Sequence, residues 1–133
     1  KSINIAKWNI YMVAIVDCTF YTFSYLIDKK DLKDNDSEQI FLNIINSEKT
    51  NGLSEEIYNK AKKDFYHRKD IINFKNYYLN NPFEKSIFAL YEWAPIADEL
   101  KKLDKKIVLN SIKLKWNLVE NEFKDLTKNL KFD

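Results

Sequence analysis

The longest apolar stretch of the sequence runs from Trp8 to Ile27, and its apolar and aromatic residues surround the helical axis instead of forming a stripe on one side. A helix that is apolar on all sides must be covered by several neighbours. The sequence therefore predicts that this stretch is the central helix of an all-α bundle. We expect helix 1 to begin near Ile5 or Ala6 and to end by Asp28.

Twenty mostly apolar residues are also enough to span a bilayer as a helix. Asp17 lies near the middle of the stretch, and a carboxylate at the centre of a spanning helix costs about 2.5 to 3.5 kcal/mol. A signal peptide is disfavoured because no small-residue cleavage site follows and residues 29–36 are highly charged. We therefore expect no membrane span. The single cysteine, Cys18, is compatible with a reducing compartment, so we expect a cytoplasmic protein.

Helix 2 is predicted to follow the charged connector. Asn35 is its candidate N-cap, with Glu38 placed for a capping box, and the helix is expected to end near Asn46. Its apolar edge comprises Ile40, Phe41, Ile44 and Ile45. An Asn-Gly dipeptide at residues 51–52 marks a turn, after which Ser54 can cap helix 3.

Helix 3 is predicted from Glu55 to Leu79, because apolar residues recur along it at a spacing of seven. The residues of this stripe are Tyr58, Phe65, Ile72 and Leu79, with Ala61 and Arg68 between them. Arg68 thus lies on the face that the pattern assigns to the core, where a charge needs a partner. We expect it to pair with Asp17 and to fix how helix 1 packs on helix 3. If the pair instead lines an open cleft, Arg68 becomes a candidate anion-binding group.

Helix 4 has the clearest predicted start in the chain. Asn81 is its candidate N-cap and Pro82 occupies the first turn, while Pro95 signals a break near Trp93. The expected core face comprises Phe83, Ile87, Leu90, Tyr91 and Ala94.

Helix 5 is predicted to be long, running from Pro95 to about Leu130. Its expected apolar stripe comprises Ile96, Leu100, Leu103, Ile107, Val108, Ile112, Trp116, Val119, Phe123, Leu126 and Leu130. The register of this stripe slips by one residue between Ile107 and Val108. We therefore expect one long helix with a bend near residues 104–106.

Glycine occurs once and proline twice. These are too few turn-forming residues for a β protein but enough to separate a few long helices. A chain of 133 residues fits one domain. The prediction is therefore a single-domain α-helical bundle of about five helices over residues 1–133. One His and one Cys provide no spaced set of metal ligands, and one Gly provides no phosphate loop. We expect no enzymatic activity, no metal and no cofactor.

Two classes of function remain. Fifteen percent of the residues are aromatic, and Tyr and Trp are enriched where proteins meet proteins. We therefore predict a protein-interaction module, either an adaptor or a homo-oligomer.

The alternative is a nucleic-acid-binding helical domain that uses the lysines of helices 3 and 5. Its candidate basic surface in helix 5 comprises Lys101, Lys102, Lys105, Lys106, Lys113 and Lys115. A net charge of only +2 gives this alternative little support. A small apolar-ligand pocket lined by Tyr21, Tyr25 and Cys18 is a third hypothesis.

Overall fold

The computed structural model describes residues 3–93, 105–130 and 132, and within these ranges the chain is an all-α bundle without strands. The helices are α1 (Ile3–Lys29), α2 (Ser37–Lys49), α3 (Glu55–Lys69), α4 (Glu84–Trp93) and α5 (Lys105–Thr127), and a 3-10 turn spans Tyr77–Leu79. The predicted fold class is confirmed, including the central helix 1 and the long C-terminal helix.

Helix α1 occupies the centre of the bundle because it carries apolar residues on several sides. It contacts α2, α3, α4 and the 3-10 turn. Its buried residues are Ala6, Trp8, Asn9, Met12, Ile15, Val16, Asp17, Thr19, Phe20, Tyr21 and Ser24. A helix this apolar is stable in water only when neighbours cover it. Helices α2, α3 and α4 therefore pack around α1.

By length and composition alone, the segment Asn4–Lys29 could also cross a membrane. Its most apolar window has a mean hydropathy of 1.5, and 44% of that window is buried inside the bundle. The core helix of a soluble protein passes the same test. The absence of a membrane span thus stays a prediction from the sequence.

Three stacked phenylalanines join α1, α2 and α3. The Phe65 ring lies between the other two, with centroid distances of 4.9 Å to Phe20 and 4.2 Å to Phe41. All three side chains are fully buried. The rest of this core cluster comprises Trp8, Met12, Ile15, Val16, Ile45, Leu53, Tyr58 and Ala61. Each of the three helices thus contributes one ring to the same contact.

A second, smaller cluster attaches α5 to the bundle. The Trp116 ring of α5 stacks on Phe83 at a centroid distance of 4.7 Å, and Phe123 meets the edge of Tyr21 at 5.2 Å. Tyr78 of the 3-10 turn is buried in the same cluster. Aromatic contacts of this kind are thus the main attachment of α5, whose closest backbone neighbour is α4.

Helix 3 is shorter than predicted, because it ends at Lys69 and not at Leu79. The residues of the predicted stripe are buried as far as Arg68, but Leu79 is 65% exposed. The Asn73 side chain accepts a hydrogen bond from the Lys75 N–H at 2.9 Å, a local bond that competes with the helical ladder. The Tyr78 N–H then donates to Ser24 Oγ of α1 at 3.0 Å. Local and tertiary hydrogen bonds thus replace the last part of the predicted helix.

The predicted cap of helix 3 is confirmed, whereas two other helix starts shift. The Ser54 hydroxyl accepts a hydrogen bond from the Ile57 N–H at 3.3 Å, directly before α3. In α2 the helix begins at Ser37, and the Asn35 side chain accepts from the Ser37 N–H instead of capping as predicted. In α4 the helix begins at Glu84, two residues after the predicted first position at Pro82, and Asn81, the predicted N-cap, has a positive φ of 47°.

For helix 5, the predicted start at Pro95 lies outside the described residues, as does residue 104 of the predicted bend at residues 104–106, whereas Lys105 and Lys106 begin the described helix. The described helix ends at Thr127, somewhat before the predicted Leu130. Ile112, Trp116 and Phe123 of the predicted stripe are half-buried. Three further stripe residues are exposed, contrary to the prediction: Val119, Leu126 and Leu130. The helix contacts the bundle along a narrower face than its apolar pattern suggests.

Candidate functional site

Asp17 and Arg68 meet inside the bundle, as the pairing expected from the sequence requires. The Nη2 of Arg68 lies 2.6 Å from Oδ1 of Asp17. The Asp17 side chain is fully buried and the Arg68 side chain is 9% exposed. This ion pair connects the middle of α1 to the last turn of α3.

Ser86 satisfies the second carboxylate oxygen of Asp17. Its backbone N–H and its hydroxyl both donate to Oδ2, at 2.8 and 2.6 Å. Ser86 lies in the first turn of α4, where backbone N–H groups lack intrahelical acceptors and the helix dipole favours a negative charge. The carboxylate therefore also fixes α4. The sequence did not lead us to predict a role for Ser86. The feature that could have indicated it is a small polar residue in the first turn of a helix whose neighbouring positions are apolar.

Tyr77 extends the network beyond the ion pair. Arg68 Nη2 donates to the Tyr77 hydroxyl oxygen at 2.8 Å, and the Tyr77 hydroxyl donates to the Pro82 carbonyl at 2.7 Å. Desolvation by burial raises the pKa of the Tyr77 phenol strongly, so the phenol stays protonated and keeps this donor. The network thus spans α1, α3, the 3-10 turn and the start of α4.

The charges of this network are balanced within the chain. Burial raises the pKa of Asp17, against the opposing effects of Arg68 and of the hydrogen bonds from Ser86. For Arg68, burial acts to lower the pKa, but nearby groups, Asp17 above all, together raise it. The raised pKa of Asp17 disfavours an ionised pair, whereas the raised pKa of Arg68 favours it. We treat both groups as charged at neutral pH, because three short donor contacts reach the carboxylate and arginine is effectively always protonated.

An anion would find little room on Arg68. Its Nη2 is occupied by Asp17 and Tyr77, and its Nη1 lies 3.5 Å from Oδ2 of Asp64. An incoming anion would therefore meet two carboxylates close to the guanidinium. This geometry favours a structural role for the pair over the anion-binding alternative.

The lysines of the candidate basic surface are not gathered on one described face. Lys101 and Lys102 lie outside the described residues. The ammonium of Lys105 lies over the rings of Phe88 and Tyr91, at 5.8 and 5.3 Å from their centroids.

Lys113 and Lys115 are both exposed. However, residues two positions apart on a helix point in directions that differ by about 200°. Lys113 lines the groove between α4 and α5 together with Glu120, so Lys115 points to the other side of α5. Lys106 is exposed as well, and it lies on the same side as Lys113, seven residues further on, whereas Lys115 lies on the opposite side. This divergence weakens the support for a continuous surface that could follow a phosphate backbone.

Cys18 is half-buried beside the aromatic cluster of Tyr21, and it also lines a cavity over α1 and α2. Tyr21 and Tyr25, which the third hypothesis placed around a ligand pocket, both contact the Phe123 ring at their edges, at 5.2 and 5.4 Å. Burial, with a smaller contribution from the charge of Asp17, raises the pKa of the Cys18 thiol to about 11. The thiolate is the reactive form of cysteine. Cys18 is therefore suited to packing and not to nucleophilic chemistry near neutral pH.

The feature of α5 that stands out most is a set of exposed leucines. Leu114 and Leu118 are 66% and 68% exposed, although they belong to a helix whose other side carries Trp116 and Phe123. Leu126 is 79% exposed, but it comes three residues after Phe123 and so lies nearer to that other side. Leu114 and Leu118 lie one turn apart, and each is two positions from Trp116, which places them on the side away from the bundle. The sequence analysis did not single out Leu114 or Leu118, because they fall between the stripe residues that it assigned to the core.

Openings at the surface are modest. The described residues line cavities of about 350 Å³ between α4 and α5, 330 Å³ between α1, α3 and α4, and 250 Å³ over α1 and α2. Small-molecule pockets commonly have volumes of about 300 to 1,000 Å³. The groove between α4 and α5 has a floor that includes Phe83 and Trp116, with Lys113 and Glu120 nearby. These side chains do not define a substrate class or a catalytic arrangement.

Within the described ranges, no group of three or more His, Cys, Asp or Glu side chains could hold a metal ion. Comparison with protein-family models, curated proteins and solved structures gives no match. The function must therefore be argued from the contacts and exposed surfaces of the chain itself.

Proposed function

We propose that the chain is a protein-interaction module that binds through one side of α5, as an adaptor or by self-association. The observation that carries this proposal is the exposure of Leu114 and Leu118, here named the outward leucine face. Burying a leucine side chain contributes about 1.5 to 3 kcal/mol. Two leucines one turn apart, on a helix that has another side for packing, therefore provide a binding surface that the bundle itself does not use.

The spacing of these leucines supports binding to a helix or a groove. Leu114 and Leu118 are one turn apart, the spacing with which amphipathic helices present apolar side chains to a partner. Single exposed apolar residues are common on protein surfaces and carry no such meaning. The proposed binding surface therefore depends on Leu114 and Leu118 acting as a pair.

Nucleic-acid binding remains the second candidate from the sequence, and it has less support. The described lysines of α5 point in different directions, and one of them, Lys105, lies over aromatic rings of α4. A phosphate-binding surface would show binding that falls steeply with added salt. Titration of labelled single- and double-stranded DNA and RNA at low and physiological salt distinguishes this candidate from protein binding.

We expect substitution of the outward leucine face to abolish partner binding without unfolding the chain. The test uses the Leu114→Ser/Leu118→Ser variant as a tagged bait in an extract of the source organism, with reversible cross-linking and mass spectrometry. Exposed positions of this kind change stability by about 0.5 kcal/mol or less, so the thermal unfolding midpoint should stay close to that of the native chain. The proteins retained by the native bait, including untagged copies of the chain itself, should be lost.

The matched control is Ile71→Ser, because Ile71 is 70% exposed but lies in the segment after α3. This variant should retain the same proteins as the native bait. Equal retention by the native chain and by the double leucine variant would contradict the proposed function.

A further inference from the structure

We propose that the partner of the outward leucine face is a second copy of this chain, with the two α5 helices packed antiparallel and crossing near Leu118. This inference rests on the proposed function and specifies its partner. Two features of α5 lead to it: the distribution of charge along the helix, and the position of two opposite charges beside the leucines.

The charges of α5 are divided between its two halves. The first half, residues 105–116, carries Lys105, Lys106, Lys113 and Lys115 and no acidic residue. The second half, residues 117–127, carries Glu120, Glu122 and Asp125 and one lysine, Lys124. A helix dipole favours acidic residues near the N-terminus and basic residues near the C-terminus. Asp125 in the last turn does not follow this preference, so the division of charge is not explained by stabilisation of α5 alone.

An antiparallel copy supplies the missing complement. Lys105, Lys113 and Glu120 face α4, so the opposite charges beside the leucines are Lys115 in the first half and Glu122 in the second. An antiparallel copy places Lys115 of one α5 beside Glu122 of the other, and complementary charges of this kind orient partners and exclude wrong registers. A parallel pair would place like charges side by side. The charge distribution therefore favours a second copy in the antiparallel orientation.

Lys115 and Glu122 define the register of the pair. They are seven residues apart, so both lie on the same edge of the leucine seam, and both are exposed. They are about 10 Å apart along one helix, which is too far for a mutual ion pair. With the crossing point near Leu118, Lys115 lies about 4.5 Å before it and Glu122 about 6 Å after it. Two-fold symmetry then brings each Lys115 next to Glu122 of the other copy.

The expected dimer is weak. Stable interfaces usually bury about 800 Å² on each partner, whereas in this register Leu118 meets its own copy and Leu114 packs against the side-chain stem of Glu122 of the other copy. We therefore expect a dissociation constant in the micromolar range or weaker, so that association becomes visible by sedimentation velocity between about 5 and 500 µM.

Charge exchange tests the register. Lys115→Glu and Glu122→Lys each replace two attractive pairs with two repulsive ones, and each should weaken the dimer by about tenfold or more. An equimolar mixture of the two variants restores opposite charges at both contacts and should associate with nearly the native affinity. Lys63→Glu is the control, because Lys63 is exposed on α3, and it should sediment like the native chain. A mixture that stays as weak as the single variants would overturn the proposed register.

Cysteine cross-linking tests the orientation. In a Cys18→Ser background under copper-catalysed air oxidation, Leu118→Cys should form a disulfide-linked dimer, because its two copies meet at the crossing point. Leu114→Cys should not, since antiparallel packing separates its two copies by about 12 Å along the axis, well beyond disulfide reach. Equal cross-linking at both positions would indicate a parallel pair and would overturn the inference.

The outcomes separate this inference from the proposed function. A native chain that remains monomeric to the highest concentration, yet retains another protein through Leu114 and Leu118, overturns the second-copy inference alone. A monomeric chain whose leucine variant retains the same proteins as the native bait overturns both. A concentration-dependent dimer that is restored by the charge-exchanged mixture supports both.

Discussion

Replacing Arg68 with Met is expected to lower the free energy of unfolding by about 3 to 5 kcal/mol, because it leaves the buried Asp17 carboxylate without its positive partner. A similar loss is expected for Asp17→Asn, which leaves the buried guanidinium with only the partly exposed Asp64 carboxylate, 3.5 Å from Nη1, as a charged partner. Because both losses arise from one contact, the double variant should be milder than the sum, with a coupling energy of about 1 to 3 kcal/mol. Urea unfolding of the native chain and the three variants measures this cycle.

The pH dependence of Arg68→Met provides a second readout. Without the guanidinium, burial holds the folded-state pKa of Asp17 above its ordinary value of 3.8. A carboxyl group whose folded pKa is raised stabilises the fold when it is protonated, and this contribution is lost as pH rises through the folded pKa. The defect of Arg68→Met should therefore be smallest near pH 4 and largest near neutrality.

Two controls separate this effect from a general loss of packing. Lys63→Met removes an exposed charge from the same helix, so it should change stability by about 0.5 kcal/mol or less. The double variant Asp17→Asn/Arg68→Met lacks the titrating group, so its defect should not shrink toward pH 4. Strictly additive losses in the cycle would show that the two side chains do not act as a pair.

Replacing Phe65 with Ala is expected to cost about 3 to 5 kcal/mol, the range for removing a buried aromatic side chain. Phe65 stacks on Phe20 with an interplanar angle of 14° and on Phe41 with an angle of 5°. The truncation thus removes contacts to α1 and α2 together and leaves a cavity in the core. Denaturant unfolding measures this loss. The slope of the unfolding free energy against denaturant concentration should be the same for the variant and the native chain.

Phe88→Ala is the matched control, because the Phe88 ring is 43% exposed on α4. It removes the same atoms from a site that water already reaches, so it should cost clearly less than Phe65→Ala. Similar losses for the two variants would contradict the assignment of Phe65 to the centre of the core.

Elements with strong local signals could be predicted from the sequence. The all-round apolar character of α1 predicted a central helix, and Ser54 predicted the start of α3 through an ordinary N-cap interaction. The spacing of apolar residues also placed Arg68 on the core face. In each case the residues that determine the feature are close in sequence, so the local pattern of residues was sufficient to predict it.

Features that depend on tertiary contacts could not be predicted in this way. Helix 3 ends early partly because the Tyr78 N–H finds an acceptor on Ser24, which lies far away in sequence. Ser86 joins the charge network only because α4 packs its first turn against Asp17. The exposure of Leu114 follows from how much of α5 the bundle covers, and periodicity alone does not determine that.

Hydroxyl-radical footprinting of the purified chain at low and high concentration tests the central claim most directly, because it reports the solvent exposure of individual side chains. If the outward leucine face binds a second copy, labelling of Leu114 and Leu118 should fall as the concentration rises from about 5 to 500 µM, the range expected for a weak dimer. Ile71, which is equally exposed but outside α5, should be labelled to the same extent throughout. Constant labelling of all three side chains would contradict the claim.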